Sequence, residues 1–197
     1  MGWMEYRTED GIEYRLPVPH PLSYWVMPGR FLAGAYPGSP DISETRQRMV
    51  RLLESGVRRV INLMEEDELD RYGRLMTPYG EILCEIARDR GSGIWQTRMP
   101  VRDLGVPSTH QMKVILDEID WAVSHYVPVY VHCLGGVGRT GTVVGCYLVR
   151  HGMSGDMALR RIAELRRNTP HGDYPSPETE VQRNMVRGWR ERENGAA

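Results

Sequence analysis

Lysine is almost absent. Of the 25 basic side chains in this 197-residue chain, Lys113 is the only lysine. The rest are arginines, whose planar forks suit two oxygens of a phosphate or carboxylate. Neither sign of charge is in excess: a formal net charge of −1 argues against a general nucleic-acid or membrane-surface binder. Cysteine is scarce. Cys84, Cys133 and Cys146 form no CxxC pair and make a poor disulfide framework, so a reducing, cytoplasmic setting is expected. No apolar stretch approaches the roughly 18 residues of a membrane span. The opening "MGWMEYRTEDGIEYR" is polar and acidic, unlike a secretory signal, and lacks the Ser/Thr of a myristoylation site. No internal repeat or low-complexity segment is visible, and a chain of this length is expected to form one domain with a real core.

What is present alternates between short apolar runs and amphipathic stretches. Residues 1–23, with Pro17, Pro19 and Pro21, read as an extended arm, and a single domain is expected over 24–192. "YWVMPGRFLAGAYPGSP" reads as a short strand pair broken by Pro-Gly turns. "SETRQRMVRLLESG" predicts a helix capped at Ser43 and stopped at Gly56. "VRRVINL", "GIWQTRMPV" and "VPVYVHC" are strand candidates. "PYGEILCEIARDRG", "STHQMKVILDEIDWAVSHY", "RTGTVVGCYLVRHG", "SGDMALRRIAELRRN" and "SPETEVQRNMVRGWRE" are helix candidates. The last is expected to have Ser176 as N-cap and Pro177 at its first position. This alternation predicts an α/β domain with a central, mostly parallel sheet of four to five strands flanked by helices. The acidic run at 65–70 reads as a solvated loop, with contact to a partner as the alternative.

The most informative stretch is "VYVHCLGGVGRTGTVVGCYLV", residues 129–149. A cysteine five residues before an arginine means little in an arginine-rich chain. Adding a preceding His, Gly at 136 and 138 and a hydroxyl after the arginine lowers the chance expectation to on the order of one in a hundred thousand. The segment runs from a buried strand into a helix N-terminus, where unpaired amides and the helix dipole favour an anion. Gly135, Gly136 and Gly138 allow a tight turn whose amides, from Leu134 through Val137 to Gly138, converge on one point. Arg139 can fork two phosphate oxygens. The same field favours the thiolate of Cys133, the nucleophilic form. Thr140 can donate to that sulfur, and His132 can orient the loop through its ring nitrogens. No GK[ST] follows the glycines, which excludes an ATP-binding Walker loop. No second ligand pair completes a zinc site. A Cys–His protease would have no use for the arginine and the anion cradle.

"HCLGGVGRTG" resembles the His-Cys-x5-Arg-Ser/Thr-Gly signature of the protein tyrosine phosphatase superfamily. "YWVMPGRFLAGAYPG" resembles the opening segment of its small atypical dual-specificity-type members, and "SPETEVQ" their late helix, so the resemblance covers roughly residues 24–189. It implies a cysteine-based phosphatase fold and a phosphocysteine intermediate, with no metal or other cofactor. It also implies an aspartate on a loop about 30 residues before the cysteine; Asp103, between Pro100 and Pro107, stands 30 positions before Cys133. Gln182 lies where some members carry a water-positioning glutamine. Arg98 and Arg102 are candidates for drawing acidic or doubly phosphorylated substrates, with solvated or structurally paired arginines as the plainer reading. Cys84 and Cys146 read as packing, with Cys146 as a partner for oxidised Cys133 the alternative.

The expected substrate is a phosphorylated protein, phosphotyrosine first and phosphoserine or phosphothreonine second, or a small phosphomonoester. Rival readings are a phosphatase of inositol phosphates, phosphoinositides or RNA 5′ ends, and a pseudophosphatase that binds without cleaving. The uncharged variable positions of the loop, Leu134 to Gly138, disfavour a highly anionic headgroup. No basic, aromatic-studded face favours RNA.

Overall fold

A computed structural model describes residues 2–7, 13–70 and 72–191. Two strands, β1 (Gly2–Arg7) and β2 (Glu13–Val18), pair antiparallel from Gly2–Val18 to Arg7–Glu13. The stretch expected as an extended arm is therefore a hairpin over its described residues. Trp25 Nε1 donates to Pro17 O at 3.1 Å and Val18 is buried, which seats the hairpin on the domain.

The main sheet has five strands: β3 (Ser23–Met27), β4 (Phe31–Gly34), β5 (Arg59–Asn62), β6 (Trp95–Arg98) and β7 (Val129–His132). Their spatial order is β3-β4-β7-β5-β6, with β3 antiparallel to β4 and every other pair parallel, as the sequence predicts. Alternate side chains face opposite sides of a strand. Phe31, Ala33, Ile61, Val129 and Val131 accordingly join one core, while Leu32, Val60 and Tyr130 join another. The first core is closed by α3 (Thr109–Ser124), α4 (Arg139–Arg150), α5 (Gly155–Arg166) and α6 (Glu180–Arg187). The second is closed by α1 (Ile42–Glu54) and α2 (Gly80–Asp89).

Two caps differ from expectation. α1 is capped by Asp41, whose carboxylate accepts from Ser43 N at 2.8 Å; Ser43 is already inside the helix. α6 begins at Glu180, with Thr179 as N-cap, and not at Pro177. Thr179-x-x-Gln182 is a capping box that satisfies two end amides reciprocally, and it outcompetes Ser176. Ser176 Oγ instead donates to Val137 O at 2.7 Å. Cys146 is wholly buried in the first core, and Cys84 accepts from Gln96 Nε2 at 3.2 Å. Among the described residues no helix is long and apolar enough to cross a membrane.

Register fixes where a site can form. Gly34, His132, Asn62 and Arg98 lie in one row across β4, β7, β5 and β6. The loops that follow these residues all rise from the carboxyl edge of the parallel strands, where α/β sheets bind ligands.

Candidate active site

Cys133 directly follows β7, and α4 opens at Arg139, so residues 133–138 form the turn between them. Several of their carbonyls accept hydrogen bonds from outside the turn. Cys133 O accepts from His132 Nδ1 at 3.2 Å, Leu134 O from Tyr36 N at 3.0 Å, and Val137 O from Ser176 Oγ at 2.7 Å. The amides of residues 134–138 have no backbone partner among the described residues, and they add to the unpaired first turn of α4. Cys133, Leu134, Gly135, Val137 and Gly138 line one cleft of 820 Å³, together with Arg139 and Asp103. Gly136 faces the other way. Its φ is +69°, and an added Cβ would lie 2.5 Å from Gly34 C and 2.6 Å from Ala35 N. The turn thus rests directly on the end of β4, which no residue with a side chain at 136 would allow.

His132 is buried behind the turn. Burial pushes its imidazole down to about 3, so the ring is neutral. A carbonyl can only accept, so Nδ1 carries the proton given to Cys133 O, and Nε2 accepts from Tyr79 Oη at 2.6 Å. These two bonds tie the ring to the first carbonyl of the turn and to Tyr79. Thr140 departs from expectation: its hydroxyl donates to Gly34 O at 3.2 Å, pinning the start of α4 to β4, and not to the Cys133 sulfur.

Arg139 is held by a residue that sequence reasoning missed. Its Nη1 and Nη2 donate to the Glu68 carboxylate at 2.6 and 2.5 Å, in a two-point pair with Arg139 1% and Glu68 9% exposed. Nη1 also donates to Val101 O at 3.1 Å, and Nη2 lies 3.0 Å from Asp103 Oδ1. Burial opposes the charge on Arg139 more than any single neighbour supports it, but Glu68, Cys133 and Asp103 together outweigh burial and hold the guanidinium above its ordinary range. Glu68 belongs to the acidic run read as solvent-exposed loop. That run carries no spacing signal, and only the fold brings it back across 71 positions to Arg139.

Asp103 follows β6 as expected, in a turn closed by Gly105 N donating to Arg102 O at 3.0 Å. Leu104 takes φ +59° there, a left-handed conformation that costs a leucine about 1 kcal/mol. Thr179 Oγ1 donates to Leu104 O at 3.2 Å and Gln182 Nε2 to Gly105 O at 3.0 Å. The carboxamide oxygen of Gln182 accepts from Glu178 N and Thr179 N, both at 3.1 Å. Gln182 therefore sits beside this turn with its carboxamide engaged by backbone groups. Arg98 Nη1 donates to Met64 O and Glu65 O, and neither Arg98 nor Arg102 lines the cleft.

The mouth of the cleft is apolar and not basic. Tyr72, Leu75, Leu104 and Tyr174 line it and are all exposed. Of its charges, Arg74 is paired with Asp70 at 2.7 Å, and Glu178 has no side-chain partner among the described residues. The carboxylate of Glu178 reaches to within 3.2 Å of where a Cβ on Gly138 would stand.

The cleft can hold a tetrahedral oxyanion against amides and a guanidinium, with a thiol at its floor and a carboxyl at its rim. Comparison with known proteins agrees. Residues 35–153 match the family model described as "Polymorphic toxin system, DSP-PTPase phosphatase". The structure of Tk-PTP in its active form is similar with a TM-score of 0.60 and 25% identity, covering 84% of this chain and 94% of that one. Kinase associated phosphatase shares the fold with a TM-score of 0.61 at 20% identity, covering 79% and 83%. A mouse protein named phosphatidylglycerophosphatase and protein-tyrosine phosphatase 1 is 29% identical over 135 residues, 66% of this chain and 62% of its own length. The chain spans 22–37% of the length of the first curated relatives it matches.

Proposed function

The chain belongs to the protein tyrosine phosphatase superfamily as a small dual-specificity-type phosphatase, and on that premise we propose that it hydrolyses phosphotyrosine in proteins through a phosphocysteine intermediate. The observation that carries the reading is the meeting, at one cleft, of Cys133, the cradle amides, Arg139 and Asp103.

The geometry supports two displacements. A phosphate dianion enters the cradle and displaces Asp103 from Arg139 Nη2, while Glu68 keeps the guanidinium aimed. The Cys133 thiolate attacks phosphorus, the bond from phosphorus to the leaving oxygen breaks, and Asp103 gives that oxygen its proton. Charge on the equatorial oxygens is met by the amides of the turn and by Arg139. Water then attacks the phosphocysteine. Asp103 takes a proton from the water, the S–P bond breaks, and the thiolate and inorganic phosphate are restored. His132 stays neutral and keeps the turn oriented.

The cleft favours phosphotyrosine over a polyphosphorylated headgroup. Asp70, Asp103 and Glu178 outnumber Arg74 and Arg139 among its charged residues, and no lysine lines it. A second phosphate would meet an unpaired carboxylate, whereas an aromatic ring would meet tyrosine and leucine side chains. The mouse relative's name joins a lipid and a protein activity, so likeness alone does not choose between them.

The test is hydrolysis of p-nitrophenyl phosphate by the wild type, Cys133→Ser and Asp103→Asn, followed by phosphopeptides, inositol phosphates and RNA 5′-phosphates. Metal-independent, vanadate-sensitive turnover that is lost in Cys133→Ser is expected. Activity that survives Cys133→Ser would refute the mechanism. Turnover of inositol phosphates without phosphopeptides would refute the substrate assignment.

A further inference from the structure

The first turn of α6 touches both halves of the site at once. The Gln182 carboxamide packs on the end of the cradle: a Cβ on Gly138 would stand 3.0 Å from its Oε1 and 3.1 Å from its Nε2. The same group reaches Gly105 O at 3.0 Å, and Thr179 Oγ1 reaches Leu104 O at 3.2 Å. Leu104 and Gly105 directly follow Asp103 in sequence. Gln182 is wholly buried, so its bond to Gly105 O is shielded from water, whereas the Thr179 bond is exposed. A leucine at φ +59° persists only where its surroundings over-determine it, and the two carbonyls of this turn that α6 binds supply that constraint.

We infer that Gln182, assisted by Thr179, is a positioning residue that latches the Asp103 loop to the end of the phosphate cradle and so sets where the acid stands relative to the leaving oxygen. The inference rests on Asp103 being the proton donor. It assigns Gln182 a different duty from orienting the attacking water. Its Oε1 already accepts two amide protons, and one Nε2 proton is given to Gly105 O. The two duties separate kinetically. A latch acts on the first displacement and matters more as the leaving group worsens. A water-orienting residue acts on the second, which no longer contains the leaving group.

The decisive variant is Gln182→Glu. A glutamate keeps the acceptor of the capping box, replaces the donor to Gly105 O with a carboxylate oxygen and adds a charge. Gln182→Leu removes both without adding charge near the cradle. For each, kcat/KM is measured across aryl phosphates from 2,4-dinitrophenyl to phenyl. Phenyl phosphate hydrolysis should fall about tenfold, while the dinitrophenyl ester, whose leaving oxygen needs no proton, should change by less than about threefold. In an Asp103→Asn background neither variant should cost phenyl phosphate anything further. Amide hydrogen exchange over residues 103–106 should quicken in both variants.

Equal loss across the series, an additive loss in Asp103→Asn, or unchanged exchange would overturn the latch. So would accumulation of phosphocysteine with kcat/KM intact. A wild type inert toward every aryl phosphate would instead refute the phosphatase reading, and the exchange measurement would still judge the latch.

Discussion

Glu68→Gln is the most informative single change, because it removes a charge that only the fold places in the site. The substitution keeps the size of the side chain and one acceptor oxygen. It replaces the other oxygen with an amide that faces a guanidinium donor. Arg139 is left 1% exposed, with Val101 O and the half-exposed Asp103 as its remaining partners. Removing one member of a buried pair costs about 3–5 kcal/mol. The lower end applies because two partners survive, so about 3 kcal/mol is expected. For a chain of this length each kcal/mol moves Tm by about 2–4 °C, which gives a fall of roughly 6–12 °C. An oxyanion in the cradle replaces part of the lost counter-charge, so saturating tungstate or vanadate should raise Tm more in the variant than in the wild type. Calorimetry with and without the anion reads both effects, and kinetics should show kcat/KM down by about tenfold or more as the guanidinium loses its aim. A double-mutant cycle with Arg139→Met should give a coupling of about 2–3 kcal/mol. Unchanged Tm together with zero coupling would show that the pair is not formed in solution, and the reasoning about Arg139 would fail with it.

Gly136→Ala should cost about 3 kcal/mol or more and abolish phosphate binding, because its Cβ meets the backbone of Gly34 and Ala35 at a positive φ. Gly135→Ala, whose Cβ meets only Val137 Cγ2 at 3.9 Å, should stay within about 1 kcal/mol; equal urea midpoints for the two would refute the packing argument. Burial holds both His20 and His132 near about 3 in the native state, against 6.5 for the ordinary side chain. The unfolded chain takes up protons that the folded one refuses, so stability present above pH 6.5 is lost as pH falls toward 3. At pH 5.5 this amounts to about 1.4 kcal/mol per histidine, readable by urea unfolding at pH 7.5 and 5.5. A flat profile would contradict it. Glu178→Lys reverses the unpaired rim charge and should improve acidic-flanked over basic-flanked phosphopeptides by roughly fivefold. An unchanged ratio would mean that Glu178 does not face the bound peptide.

Much of this protein is legible one segment at a time. Strand and helix order follow from apolar periodicity, because each run must bury its own face. Thr179-x-x-Gln182 was legible too, as a capping box, but Ser176-Pro177 is also a helix-start pattern, and choosing between the two depends on what else Ser176 can bond. Val137 O settles that choice. The expected bond from Thr140 to sulfur went to Gly34 O for a similar reason, since β4 lies closer to the start of α4 than a motif can reveal.

The sequence by itself determined the cradle. His132 to Thr140 are contiguous, so the strand end, the glycine turn and the helix N-terminus can be read together from one stretch of sequence. Tertiary structure decided what acts on that cradle. Glu68 stands 71 positions from Arg139, and Gln182 stands 77 from Gly105. Such partners carry no spacing of their own. They meet only because β4, β5, β6 and β7 end in one row, so that distant loops converge over the same edge.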